Sequence, residues 1–185
     1  MTATSDRTAI NERVPSPPVR LSLTPAGSAP GLLDGAWWPR SRDLSRELPA
    51  LTDVLDVRWG RITHIAVNPA HWPVIPHEVP VSGRAVGVGC FGAEQDANKL
   101  ILLSYTVGRW DLLVIPPETG AAAAARLMSA AATPGGLLSE SGLMTSEDTR
   151  DASEALSREE EWETEGGAAS GVRTPVGSPA SVRGR

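Results

Sequence analysis

Gly31–Leu44 reads GLLDGAWWPRSRDL, and the disposition of its paired indoles organises the rest of the chain. In extended backbone the adjacent Trp37 and Trp38 point to opposite sides, so one ring can enter a core while the other faces a second surface or a partner. Pro39 holds Trp38 extended and stops the strand, and Ser41 is placed to cap a helix carrying Asp43 in its first turn. The stretch is expected to be a strand-to-helix corner plugged with indole.

Upstream, VRLSLTP (19–25) alternates Val19, Leu21 and Leu23 with polar residues, the period of a half-buried strand ended by Pro25. Downstream, Leu44, Leu48, Leu51 and Leu55 recur at helical spacing, with Pro49 expected to kink the helix or split it into two. RITHIAVN (61–68) reads as a strand. AHWPVIPHEVP (70–80) carries Pro73, Pro76 and Pro80 and should run along an edge or the surface, anchored by Trp72. Ser82-Gly83 then turns the chain into RAVGVGCF (84–91), with Val86, Val88 and Cys90 on one face and Ala85, Gly87 and Gly89 on the other.

KLILLSYT (99–106) and RWDLLVI (109–115) form a hairpin across Val107-Gly108. A register with Tyr105 opposite Trp110 sets Leu103 by Leu112 and Ile101 by Val114, giving one wholly apolar face, and places Ser104 by Asp111 on the other. A three-residue loop is the alternative, setting Leu103 against Asp111. After Pro116-Pro117, the run TGAAAAARLMSAAA (119–132) is a helix expected to pack across the small face of Ala85, Gly87 and Gly89. Residues 137–148 are weakly patterned and suggest a short final strand or helical turn.

The ends differ in composition from the middle. Residues 1–18 lack apolar periodicity and read as a disordered arm. Residues 151–185 read as a disordered tail, acidic and then rich in Gly, Ser and Pro. Between them, 19–150 suit one α+β domain, a curved, mostly antiparallel sheet packed by one or two helices.

LLDGAWWPRSRDL, NPAHWPVIP and LLSYTVGRWDLLVIPPETGAAAAARLM, occurring in that order, resemble an uncharacterised family of small actinobacterial proteins, a domain of unknown function. The resemblance covers roughly residues 19–146. It implies a common fold and no activity, so no catalytic residue, cofactor or metal follows from it.

A net charge of −5 and a pI near 5.2 give no electrostatic footprint for nucleic acid or an anionic membrane. One cysteine, Cys90, excludes an intramolecular disulfide and suits a cytoplasmic setting; it is expected as a small buried residue. Gly87–Gly92 matches a dinucleotide fingerprint literally, but too few residues follow before the next strand for a parallel crossover. His64, His71 and His77 lack metal-ligand spacing.

No complete catalytic constellation is present, which weighs against an enzyme. The sequence points to a non-catalytic interaction or regulatory module whose protein partner meets Trp37, Trp38 and Trp72, indoles being favoured interface anchors. The rival is a small-molecule-binding protein or enzyme with a polar site at Ser104, Arg109 and Asp111. Neither reading calls for a cofactor.

Overall fold

Ser82-Gly83 shows a turn chosen by its residues: both have positive φ, 42° and 81°, as a two-residue I′-type hairpin needs. The pair joins β4 (Glu78–Val81) to β5 (Arg84–Cys90). The computed structural model describes residues 17–92, 96–105 and 108–166, in which this hairpin forms one end of a seven-stranded mixed sheet.

The other strands are β1 (Leu21–Leu23), β2 (Gly35–Trp37), β3 (Ile62–Val67), β6 (Lys99–Ser104) and β7 (Gly108–Val114). Their order is β1-β2-β7-β6-β3-β5-β4. The pairs β2–β7 and β3–β5 are parallel and the other four antiparallel, so the fold is α+β with a mixed sheet. As Pro80 requires, β4 is an edge strand. β3 pairs with β6 through a shift in register between Ile62 and His64. This bulge lets Ile62, Ile65 and Val67 all bury despite their broken alternation.

Helix α1 (Leu44–Trp59) covers one face of the sheet, and the stripe Leu44, Leu48, Leu51 and Leu55 is fully buried. These leucines meet Ile62, Ile65, Leu100, Leu102 and Leu112 in the larger core. Asp43, not Ser41, is the N-cap, its carboxylate accepting from Arg46 N at 3.3 Å. Ser41 instead donates to Glu47 Oε1 at 2.8 Å. Nor does Pro49 divide the helix. The one backbone bond it removes is outweighed by the leucines buried on both sides, and Thr52 Oγ1 donates to the Leu48 and Pro49 carbonyls, each at 3.0 Å.

The β6–β7 hairpin takes neither expected register. Ser104 pairs with Gly108, Leu102 with Trp110 and Leu100 with Leu112, so Tyr105 is not opposite Trp110 and is 83% exposed. Because β6 is apolar at every position from 100 to 103, its pattern is satisfied whichever parity faces the core. The observed choice buries Leu100 and Leu102 and leaves Leu103 exposed. Thr106 and Val107, part of the expected turn, lie outside the described residues.

Helix α2 (Ala121–Ala131) packs on β1 and β2. Its Ala124, Leu127 and Ala131 join Leu33, Ala36, Leu113 and Ile115 in a second core on the opposite sheet face. It therefore does not reach the face of Ala85, Gly87 and Gly89, which lies across β7, β6 and β3 from β2. There a Cβ on Gly87 would meet His64 Cδ2 at 2.7 Å. His64 is exposed and its ring can swing aside, so Gly87→Ala is expected to change stability by less than about 1 kcal/mol in urea. A loss of several would require a packed cover over this face. Cys90, too, is exposed rather than buried.

Residues 137–148 do not end the fold in a turn but lead into α3 (Glu140–Gly166), which passes the boundary expected at 150. Contacts divide the chain into one unit ending at Glu147 and another beginning at Asp148. In the second unit the helix is carried by Ala, Leu, Glu and Arg, all good helix formers, and by an i,i+4 pair of Arg150 Nε with Glu154 Oε1 at 3.1 Å. High charge had argued for disorder there, but helix propensity and charge are separate properties of a segment. The rest of the arm and tail falls outside the described residues. No described helix is long and apolar enough to cross a membrane.

Candidate functional site

Asp34 precedes β2 and extends the ladder on both sides of it. Thr24 N donates to Asp34 O at 2.9 Å, and Asp34 N donates to Asp111 O at 2.8 Å. The Asp34 side chain then accepts from Asp111 N on Oδ2, also at 2.8 Å. The Asp34 backbone is thus held by Thr24 on one side and β7 on the other and its carboxylate by one bond from β7, while Oδ1 has no hydrogen-bond partner among the described residues. Burial is the main cause of a pKa raised above the usual carboxylate value; the Asp111 charge adds to the rise and the Asp111 backbone N–H opposes it.

Beside Asp34 opens a cleft of about 560 Å³, walled by loop residues 24–31, Arg58 and the indoles of Trp59 and Trp110. The two rings stack nearly parallel, with centroids 4.3 Å apart at 6°. Trp59 ends α1, one four-residue step beyond Leu55 on the buried stripe. Trp110 shares the sheet face of Leu112 but lies nearer the hairpin end of β7, past the cover of α1. In the same wall, Trp110 Nε1 and Thr24 Oγ1 are buried and have no hydrogen-bond partner among the described residues. The volume falls in the range of small-molecule sites, roughly 300–1,000 Å³, and the make-up fits them: apolar walls with a few polar groups.

The polar residues singled out from the sequence are brought together only in part. Arg109 Nε and Nη2 donate to Asp111 Oδ1 and Oδ2 at 2.7 and 2.8 Å. Ser104, opposite Gly108, alternates to the other face of the sheet and does not join them. Two residues the sequence reading missed complete the cluster: Lys99 Nζ lies 2.9 Å from Asp111 Oδ2 and 3.2 Å from Glu140 Oε1. Burial works against the Asp111 carboxylate, but Arg109 and Lys99 hold its pKa below the usual value. Burial raises Glu140, with Asp96 adding to the effect and Lys99 opposing it. The cluster ties β6, β7 and α3 together through ion pairs, although Glu140 Oε1, in ion-pair range of Lys99, makes no hydrogen bond among the described residues.

Trp37 and Trp72 are core residues, 1% and 4% exposed, with rings stacked 5.7 Å apart. Trp38 is half-buried, and the Arg20 guanidinium carbon sits 3.5 Å over its ring. His64, His71 and His77 lie apart on β3, on the turn after β3 and before β4. Both His71 ring nitrogens are buried, and neither makes a hydrogen bond of good geometry among the described residues, Asn98 being the hydrogen-bonding side chain that acts on them. Burial first and the Arg42 charge second lower the His71 pKa, against Asn98 and Glu118. Among the described residues no three His, Cys, Asp or Glu are grouped to hold a metal.

A family model described as a family of unknown function (DUF5994) matches residues 20–131, from the edge of β1 through the end of α2. No curated protein and no solved structure matches the chain.

Proposed function

We propose that this chain, which belongs to the family of unknown function DUF5994, is a non-catalytic binding protein for a small, flat, mostly apolar molecule held between Asp34 and the Trp59–Trp110 pair. The observation that carries this reading is a strand-fixed carboxylate with one unpaired oxygen in the wall of an indole-lined cleft. Asp34 Oδ1 accepts from an N–H of the ligand, while Trp110 Nε1 or Thr24 Oγ1, both unpaired, donates after a small side-chain shift. A head with adjacent donor and acceptor, such as a cyclic amide fused to an aromatic ring, meets both demands. The burial of Trp37 and Trp72 withdraws two of the three indoles on which a tryptophan-anchored partner surface would rest.

Asp34→Asn tests the reading. Its amide oxygen keeps the bond from Asp111 N, but the other atom becomes a donor and meets the ligand N–H head to head. Because the folded-state pKa of Asp34 is raised, the folded protein binds more protons than the unfolded chain above pH about 3.8. Stability therefore falls as pH rises through that interval, and the deficit persists at neutrality. The variant should be at least as stable as the parent in urea at pH 7, yet bind 2-quinolinone on the order of tenfold more weakly by tryptophan fluorescence. If a panel of bicyclic lactams leaves the parent's fluorescence unchanged, the proposal fails.

A second reading retains a protein partner on the acidic part of α3, where Trp162 is 82% exposed. Truncation after Glu147 separates the two: it abolishes capture of a partner and leaves lactam binding intact.

A further inference from the structure

Arginines in this acidic protein fall into two groups. Arg42, Arg84, Arg109, Arg126 and Arg150 each sit against a carboxylate. The other described arginines, Arg20, Arg40, Arg46, Arg58, Arg61 and Arg158, form no such pair among the described residues, and the first three of them line one cleft of about 440 Å³ between the start of β1, the Trp37–Trp38 corner and the first turns of α1. A cleft in which one sign of charge predominates within low-dielectric walls focuses its field on whatever enters.

The partners of these side chains show which donors remain. Arg20 donates through Nε to Trp38 O at 3.0 Å and through Nη2 to Pro39 O at 2.5 Å, and it lies over the Trp38 ring. It is therefore both a wall and a charge, with Nη1 uncommitted. Burial and the nearby Arg40 lower its pKa, and the Glu47 charge only partly offsets them. Arg40 spends Nη2 on Pro18 O at 3.1 Å. The Arg46 side chain has no hydrogen-bond partner among the described residues. Among the described residues Glu47 is the one carboxylate lining the cleft, and its oxygens are taken by Arg40 N at 3.1 Å and Ser41 Oγ at 2.8 Å. Asp43, which caps α1, is not in the lining, where positive charge predominates.

We infer that this cleft binds a phosphate monoester. Three guanidiniums against one carboxylate leave two positive charges, which a phosphate dianion neutralises and a single carboxylate does not. Guanidinium forks match phosphate oxygens pairwise. The volume far exceeds a bare phosphate, and Pro17, Pro18 and Pro49 in the lining give an apolar seat for the organic part. The site is separate from the lactam cleft, which is lined by other residues.

The full-length protein is titrated by calorimetry with inorganic phosphate and with phenyl phosphate at matched ionic strength, and is tested for co-sedimentation with vesicles of phosphatidic acid in phosphatidylcholine. Phenyl phosphate should bind about tenfold more tightly than inorganic phosphate, and Arg46→Gln and Arg40→Gln should each weaken it at least tenfold. Arg158→Gln and Asp34→Asn should leave it unchanged. The proposal is overturned if neither phosphate binds, or if binding survives both cleft variants. Retention on vesicles without phenyl phosphate binding overturns it as well, assigning the cleft to a lipid surface. The Arg46 side chain is exposed and makes no internal bond, so unchanged circular dichroism is expected for its variant and a lost titration reports the site.

Discussion

Trp37→Ala should lose about 3–5 kcal/mol of stability, and Trp38→Ala much less, on the order of 1 kcal/mol. The neighbouring rings differ in what they touch. Trp37 is 1% exposed, lies in the larger core and stacks on Trp72. Removing it takes away the transfer energy of a whole indole and leaves a void that rigid strands on either side cannot close. It also strips one face of Trp72, which anchors the proline-rich connection between β3 and β4. Trp38 alternates to the other side, is half-buried and has Arg20 over its ring, so its loss costs part of a packing contact and one cation–π pairing. Urea midpoints measured separately for the two variants decide the matter. Equal large losses would make the corner a plug on both sides, and a small loss for Trp37→Ala would contradict its place in the core.

Where one side of an element had to be apolar and the other polar, the sequence was enough. The Leu44–Leu55 stripe was legible for that reason, whereas the prolines that confine β4 to an edge and the Ser82-Gly83 turn were legible because the residues themselves restrict the backbone. Legibility failed where two choices satisfied the same local rule. Ser41 and Asp43 are both good caps, and only the position of the first buried leucine selects Asp43. Leu100, Ile101, Leu102 and Leu103 give β6 two apolar faces, so register was settled by neighbouring strands rather than by the hairpin. Half the polar cluster, Arg109 with Asp111, could be read from its spacing. The aromatic cleft could not: Trp59 and Trp110 meet from the end of a helix and the start of a distant strand, and Asp34 beside Gly35 looks like an ordinary turn residue until the ladder gives it a place.

Removing the lysine of the buried ion cluster should also be costly, and its pH dependence gives it a signature. Lys99 joins Asp111, 16% exposed at its side chain, to Glu140, 3% exposed. Lys99→Met keeps most of the alkyl chain but leaves the Glu140 carboxylate without its cation and Asp111 with Arg109 alone, a loss on the order of 3 kcal/mol at pH 7. Glu140 already has a folded-state pKa raised above 4.5, chiefly by burial, and a backbone hydrogen bond and Lys99 together limit the rise. In the variant it rises further. The folded state then binds more protons than the unfolded chain from about pH 4.5 upward, so stability falls as pH increases through that window, more steeply than in the parent. Asp111 works in a separate range: its lowered pKa gives stability that is present above about pH 3.8 and lost only below it. The penalty of Lys99→Met should accordingly be smaller at pH 5 than at pH 7, because the stranded Glu140 carboxylate is protonated more readily in the variant than in the parent, and Lys99→Met combined with Glu140→Gln should recover much of it at pH 7. Urea denaturation of the parent and both variants at the two pH values checks this, and a penalty independent of pH would place its origin in the lost packing of the lysine stem rather than in a stranded charge.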